Sequence, residues 1–190
     1  VKLPVIVYNR DSQAEVLMDA IDLRDKLEEI AAAEYQNGGK YIRPIALFQA
    51  QPKGKEDATT FEKLRAELVD AGIPAEHIAI RTADVNELKN VDLLSPDCPV
   101  RYIITVNALK EGWDCPFAYI LASLANKTSQ MDVEQILGRI LRLPYTAEHG
   151  AKALNMSYVL TSSNDFNDTV QQIIRGLNSA GFSDRDYRLA

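Results

Sequence analysis

The sequence has few of the residues that mark secreted, metal-binding or membrane proteins. Its 190 residues include only two cysteines, Cys98 and Cys115, and neither lies in a C-x-x-C motif or close in sequence to His77 or His149. A zinc site is therefore not expected, and two separate thiols fit a reducing cytoplasm better than a disulfide framework. No run of about 18 apolar residues occurs, which excludes a membrane-spanning helix, and no signal peptide is visible.

The chain also lacks an excess of basic residues. Lysine and arginine number 21 and aspartate and glutamate 27, which gives a formal net charge of -6 at pH 7. On charge alone, nucleic-acid binding is disfavoured, although a narrow basic groove is compatible with this balance because net charge averages over all faces. The length suits one domain with a buried core, and 46% hydrophobic residues are typical of a globular protein.

The two motifs with which motor ATPases hold ATP and Mg²⁺ are missing. No G-x-x-x-x-G-K-[ST] loop occurs, since the G-G-K segment at 38–40 is followed by Tyr41 and lacks the earlier glycine. No Asp-Glu-x-His box follows a predicted strand, and the E-L-K triplet at 87–89 lacks the acidic strand that should precede it in a nuclease centre. We therefore expect neither ATPase nor nuclease activity from these residues alone.

Predicted strands and helices alternate along most of the chain. Apolar and β-branched runs predict strands at 5–8, 45–48, 77–81, 100–106, 118–124 and 157–161. Apolar residues at helical spacing predict helices at 12–36, from Thr59 to about 70, at 132–143 and from Asn164 to just before Gly181. This alternation predicts a three-layer α/β fold, with a mostly parallel central sheet flanked by helices, in a single domain over residues 1–190.

Capping signals predict where three of the helices begin. Thr59 and Glu62 form a capping-box pattern, and Asp132 with Gln135 forms a similar one. Asn164 is the predicted cap of the last helix. In parallel α/β sheets, ligands bind beyond the carboxyl ends of the strands, so the loops that follow 45–48, 100–106 and 118–124 are where we expect the chemistry.

The predicted helix at 132–143 has an apolar and a polar side. The apolar side carries Val133, Ile136, Leu137, Ile140 and Leu141, and the polar side carries Gln135, Gly138, Arg139 and Arg142. A glycine inside a helix costs about 1 kcal/mol relative to alanine. Gly138 removes bulk beside both arginines, which favours the close approach of a phosphate or a partner domain over an ordinary solvated face.

The pattern Q-x-x-G-R-x-x-R at 135–142 resembles motif VI of superfamily 2 helicases. In that family the motif lies on the second of two RecA-like domains, and its arginines reach the γ-phosphate of ATP bound by the first domain. The resemblance implies that Arg139 and Arg142 are catalytic arginine fingers, which offset charge on the transferred phosphoryl group. Gln135 and Gly138 would then lie at the nucleotide.

The segment after the predicted strand at 100–106 gives a more specific match. It reads T-V-N-A-L-K-E-G-W-D-C-P over 105–116 and looks like motif V in the wording of the Res subunits of type III restriction enzymes. The G-R-I-L-R-L-P segment at 138–144 fits the same group. The resemblance is tight over 104–144 and loose over 45–161, and it implies a RecA-like fold.

The resemblance also implies roles for five further residues. Gly112 allows a backbone turn that a side chain would block, and Asp114 contacts the nucleotide ribose or the water network of the cleft. The alternative for Asp114 is an Asx-type turn. Thr105 contacts nucleic-acid phosphates, and Gln49 and Gln51, at the place of motif IV, help to track the nucleic-acid backbone.

We therefore expect the finger-bearing second domain of a larger motor, and the start at Val1 rather than Met agrees with a piece of a longer protein. ATP and Mg²⁺ would be held mainly by the first RecA-like domain of the same parent chain. Double-stranded DNA and a modification methyltransferase subunit would be its partners. Two alternatives remain: a domain of a general helicase or remodelling ATPase, and a non-enzymatic α/β module whose arginine helix docks an acidic partner.

Overall fold

The computed structural model describes residue 2 and residues 4–51, 60–106, 114–125, 129–179 and 187–189. Its strands are β1 (Val5–Asn9), β2 (Ile45–Gln49), β3 (Ile78–Ile80), β4 (Tyr102–Thr105), β5 (Ala118–Ser123), β6 (Ser157–Thr161) and β7 (Tyr187–Leu189). They form one sheet in the order β3-β4-β2-β5-β6-β1-β7, and every neighbouring pair is parallel. The predicted parallel sheet is confirmed.

Helices cover both faces of this sheet. They are α1 (Gln13–Gln36), α2 (Phe61–Asp70), α3 (Gln130–Ile140) and α4 (Asn164–Ser179). Because crossovers between parallel strands are right-handed, α1 and α2 lie on one face, and α3 lies beside α4 on the other. Every residue of β2 and of β5 is buried, as expected for strands covered on both sides. None of the described helices is long and apolar enough to cross a membrane.

Strand β7 is an addition that the sequence did not predict. It pairs with the outer side of β1, with Val5 opposite Tyr187 and Val7 opposite Leu189. Three residues are too few to show a periodic pattern, so the strand is defined by its pairing with distant β1 and not by local sequence.

The caps of α2 and α4 are hydroxyl side chains next to the predicted ones. The Thr60 hydroxyl accepts a hydrogen bond from the backbone N–H three residues further on at 3.3 Å, and the Ser163 hydroxyl does the same for α4 at 3.2 Å. Asn164 is therefore the first residue of α4 and not its cap, and Thr59 lies outside the described residues. The observed caps of α2 and α4 are each one residue from the predicted ones.

A buried arginine at the start of β2 organises the loop between β3 and β4. The Arg43 side chain is 1% exposed. It donates to the carbonyl oxygens of Val100 at 2.7 Å, Ser95 at 3.0 Å and Leu93 at 2.6 Å. Buried carbonyl groups need hydrogen-bond donors, and here one guanidinium supplies three loop carbonyls that no strand pairs.

We expect Arg43→Met to lower the free energy of unfolding by on the order of 3 kcal/mol, because it leaves buried carbonyl groups without donors. Chemical denaturation measures the change. Arg65→Met is the matched control, because the Arg65 side chain is 38% exposed and pairs with Glu87 at the surface, so its loss should cost about 1 kcal/mol or less. Equal losses in the two variants would contradict this account of the loop.

Candidate functional site

The start of α3 differs from the prediction. The Ser129 hydroxyl accepts a hydrogen bond from the backbone N–H of Asp132 at 3.2 Å, so Ser129 is the N-cap. Asp132 lies in the first turn, where its negative charge complements the positive end of the helix dipole. The prediction that Asp132 caps the helix is wrong, because a serine three residues earlier already satisfies the free N–H groups.

The end of α3 is fixed at the amino edge of the sheet. The backbone N–H of Lys2 donates to the carbonyl of Leu141 at 2.5 Å. The hydroxyl of Ser157, the first residue of β6, lies 2.8 Å from the carbonyl oxygen of Lys2 and 3.1 Å from that of Ile140, so the two carbonyls share its proton. These bonds satisfy carbonyl groups that a helix leaves without partners at its C-terminal end. The helix therefore ends three residues earlier than predicted, and Arg142 lies just beyond it.

Asp114 and Arg142 meet at this edge. Asp114 comes shortly before β5, Arg142 comes shortly after α3, and the arginine Nη1 lies 2.9 Å from the aspartate Oδ2. The two side chains are 54% and 64% exposed. An ion pair of this exposure contributes roughly 0–1 kcal/mol, so either partner can exchange the other for a ligand at little cost.

The ion pair lies in a cleft of about 670 Å³. Its lining is mixed, with two charged side chains beside several apolar ones: Leu94, Asp114, Pro116, Gly138, Leu141, Arg142, Leu143, Tyr145 and Thr146. A Cβ atom added to Gly138 would meet no described atom within 4 Å. Packing within the described chain therefore does not require the glycine, and the space beside it opens into the cleft.

The other predicted nucleotide-site residues lie outside this lining. Gln135 is exposed on α3 and Arg139 is half-buried in its last turn, and neither is among the described residues that line the cleft. Gly112 lies outside the described residues. The structure thus brings Asp114, Gly138 and Arg142 together in one cleft, and the roles of all the site residues stay predictions.

The predicted nucleic-acid residues lie at the opposite edge of the sheet. Gln49 and Thr105 end β2 and β4 and are paired in register, and the Ser123 hydroxyl at the end of β5 donates to the side-chain oxygen of Gln49 at 2.9 Å. Asn9 and Thr161 continue this polar row across β1 and β6.

Two polar groups near this row are buried. The hydroxyl of Thr105 and the side-chain amide nitrogen of Gln51 have no hydrogen-bond partner among the described residues. Both precede segments outside the described residues, at 107–113 and 52–59.

Asp114 and Arg142 lie at the amino edge of the sheet and not at the carboxyl edge, where the loops that follow the strands begin. Because β4 and β5 are parallel neighbours of β2, the connection between them begins at the carboxyl edge and returns to the amino edge. Asp114 is at the far end of that connection. α3 makes the same return after β5, so Arg142 arrives at the same edge.

Lys2 is a buried residue at this edge of the sheet that the sequence did not indicate. Its side chain is fully buried, its Nζ donates to the carbonyl of Ala118 at 2.6 Å, and the same atom lies 4.0 Å from the centroid of the Tyr119 ring. Burial lowers the pKa of Lys2 to about 7, although the nearby Cys115 thiol opposes that shift. Burial also raises the pKa of Cys115 to about 12.

We expect the free energy of unfolding to rise between pH 7 and pH 9, because folded Lys2 has lost its proton there while unfolded Lys2, with a pKa of 10.5, still binds one. The slope from this group is at most about 1.4 kcal/mol per pH unit. Above pH 9.0, the raised pKa of buried Cys115 acts in the opposite direction. Denaturation at several pH values checks this, and Lys2→Met should remove the rise. A Lys2→Met variant with the wild-type slope would contradict it.

The sheet, its flanking helices and their right-handed connections define a three-layer α/β domain with a RecA-like fold, as predicted. Among solved structures, the chain is similar to the ATP-dependent type ISP restriction-modification enzyme LlaBIII bound to DNA. The TM-score is 0.50 at 21% sequence identity, over 100% of this chain and 15% of that enzyme. No family model and no curated protein matches. At this identity, the similarity establishes the fold alone.

Proposed function

We propose that this domain is the second motor domain of an ATP-dependent superfamily 2 DNA helicase or translocase from a restriction-modification enzyme. The observation that supports it is the pairing of Asp114 with Arg142 beside Gly138 in one cleft. Asp114 and Arg142 are 28 positions apart and belong to two different motifs, and the resemblance of each motif assigns its residue to the nucleotide.

Arg142 supplies the main charge in this proposal. In the absence of nucleotide, its guanidinium is paired with an exposed carboxylate. When the first RecA-like domain of the parent chain brings ATP and Mg²⁺ to the cleft, the guanidinium exchanges that carboxylate for the γ-phosphate, to which it forms charge-assisted hydrogen bonds. Arg139 is the second finger, and Gly138 leaves room for the phosphates. Both fingers stabilise charge that develops during phosphoryl transfer.

Asp114 supplies the contacts to the ribose of the nucleotide in this proposal. Once Arg142 moves to the phosphate, the Asp114 carboxylate is available to accept hydrogen bonds from the ribose hydroxyl groups. The resemblance assigns Gln135 and Gly112 to the nucleotide as well. ATP hydrolysis then opens and closes the cleft between the two domains.

The DNA contacts that the resemblance implies fall at the opposite edge of the sheet, at Gln49, Gln51 and Thr105. Their side chains are buried in the domain by itself, so DNA contact requires that this edge be uncovered. Nucleotide and DNA then act on two ends of one buried parallel sheet, which can transmit a rigid-body movement of the domain from one to the other. Double-stranded DNA is the polymer along which the enzyme translocates. A methyltransferase that modifies the same sites is the expected partner of such an enzyme.

The chain spans about 15% of the length of the solved enzyme it resembles, so the activity belongs to a longer protein. The wording of the two motifs favours a type III Res subunit, whereas the solved neighbour is a type ISP enzyme. Reading the flanking coding sequence separates these cases from a general helicase, because a nuclease motif should accompany the motor only in the restriction enzymes.

We expect Arg142→Ala in the parent protein to lower the turnover number for ATP by about a thousandfold or more while ATP binding is retained, because the finger acts on the transition state. Steady-state hydrolysis and equilibrium nucleotide binding measure the two effects. Arg65→Ala is the matched control, since Arg65 also forms one exposed ion pair but lies on α2, on the other face of the sheet.

Normal turnover in the Arg142→Ala parent would overturn the proposal. A parent without any nucleotide-binding domain would do the same and would favour the module that docks an acidic partner. In that case, Arg142→Ala should weaken capture of an acidic protein and leave no nucleotide-dependent property to measure.

A further inference from the structure

Tyr145 is a conspicuous residue of the cleft that neither motif accounts for. It follows Arg142 by three positions, lines the same cleft and is 40% exposed. It is not part of the core that the helices and strands share. Its position beside the finger suggests a role toward a ligand in the cleft.

The backbone at this position is in an uncommon conformation. Tyr145 has a φ of 60° and Thr146 a φ of 51°, so two consecutive residues with side chains lie in the left-handed region. For a β-branched residue such as Thr146, this is a true outlier. Such conformations persist only where the surrounding structure enforces them, and they cluster at ligand sites.

Several contacts hold the Tyr145 ring in place. Its hydroxyl donates to the carbonyl of Tyr41 at 2.6 Å. The ring meets Phe117 and His149 edge to face, with centroids 6.1 and 6.5 Å away, and the Lys40 ammonium lies 5.7 Å from its centroid. The ring is thus fixed before any ligand arrives, although much of it stays accessible.

Hydrogen bonds also hold the turn that contains Tyr145. The backbone N–H of Thr146 donates to the carbonyl of Leu143 at 3.0 Å, and a ring nitrogen of His149 lies 3.0 Å from the carbonyl of Pro144. A held aromatic ring in a mixed cleft is a preorganised binding surface, because little conformational freedom is lost when a ligand covers it.

The cleft offers three kinds of binding group to a ligand. Arg142 offers donors for a phosphate, and Asp114 offers acceptors for hydroxyl groups. Tyr145 offers an aromatic face, beside apolar Leu94 and Pro116. A ligand that carries a phosphate, a sugar with hydroxyl groups and a flat ring would satisfy all three, and a ribonucleotide is the ligand class with that combination.

We propose that Tyr145 is the stacking platform for the base of the nucleotide whose phosphates meet Arg142. This inference rests on the proposed function and extends it, because it assigns the base as well as the phosphates to this domain. Stacking of a base on an aromatic side chain tolerates different bases, so Tyr145 provides affinity and orientation and does not select adenine over guanine.

The test uses the longer parent protein, in which the first RecA-like domain also holds the nucleotide, and two triphosphate ligands, one with a nucleoside and one without. Binding of the non-hydrolysable ATP analogue AMP-PNP and of inorganic tripolyphosphate is measured by isothermal titration calorimetry with Mg²⁺. The wild-type protein should prefer AMP-PNP. Tyr145→Ala and Tyr145→Leu should each weaken AMP-PNP roughly tenfold or more and leave tripolyphosphate unchanged, whereas Tyr145→Phe keeps the preference.

The ligand pair separates the inference from the proposed function. Unchanged tripolyphosphate binding shows that a variant is folded, and the Leu variant keeps apolar bulk where Ala removes it. A wild-type chain with no preference for AMP-PNP, no binding of it, or an unchanged preference in both variants would overturn the Tyr145 assignment. If Arg142→Ala altered the affinity of neither ligand while the Tyr145 variants behaved as expected, the finger assignment would fail and the platform would stand.

Discussion

The hydrogen bonds that end α3 at the amino edge of the sheet are the constraint on which the candidate site depends. They tie two helix carbonyls to the N–H of Lys2 and to the hydroxyl of Ser157. If the helix ran one turn further, Arg142 would be held on its surface and not in the chain that leaves it. The same edge contains the beginning of β5, and this is why Asp114, shortly before that strand, meets Arg142.

Arg43 and Arg142 lie in opposite environments, and the first stabilises the fold whereas the second belongs to the candidate site. Arg43 is buried and gives its donors to loop carbonyls, so its contribution is to stability. Arg142 is exposed and has one carboxylate partner. A buried, fully satisfied guanidinium is costly to move, whereas an exposed ion pair is nearly neutral in free energy and can be exchanged for a phosphate. The site is therefore poised for ligand exchange because the surrounding structure does not depend on it.

Local sequence patterns were sufficient to predict the strands and helices, whereas the contacts between distant parts of the chain depend on how the strands pair. The predicted strand at 157–161 coincides with β6, and the predicted end of α1 at residue 36 is also confirmed. The caps were displaced because neighbouring hydroxyl residues compete for the same N–H groups, as Ser163 does with Asn164. The proximity of Asp114 to Arg142 could not be derived from spacing, since it depends on the order of the strands. The left-handed turn at Tyr145 gave no signal, because no glycine or asparagine marks it.

The central claim is that Arg142 leaves Asp114 for the phosphate of a nucleotide held by another domain. The most direct test is a structure of the longer parent protein with ADP and aluminium fluoride, which imitates the transferred phosphoryl group. The account predicts the Arg142 guanidinium at about 3 Å from the fluoride ligands, with the Asp114 pair broken. An Arg142 still paired with Asp114, with the nucleotide remote from this cleft, would contradict it.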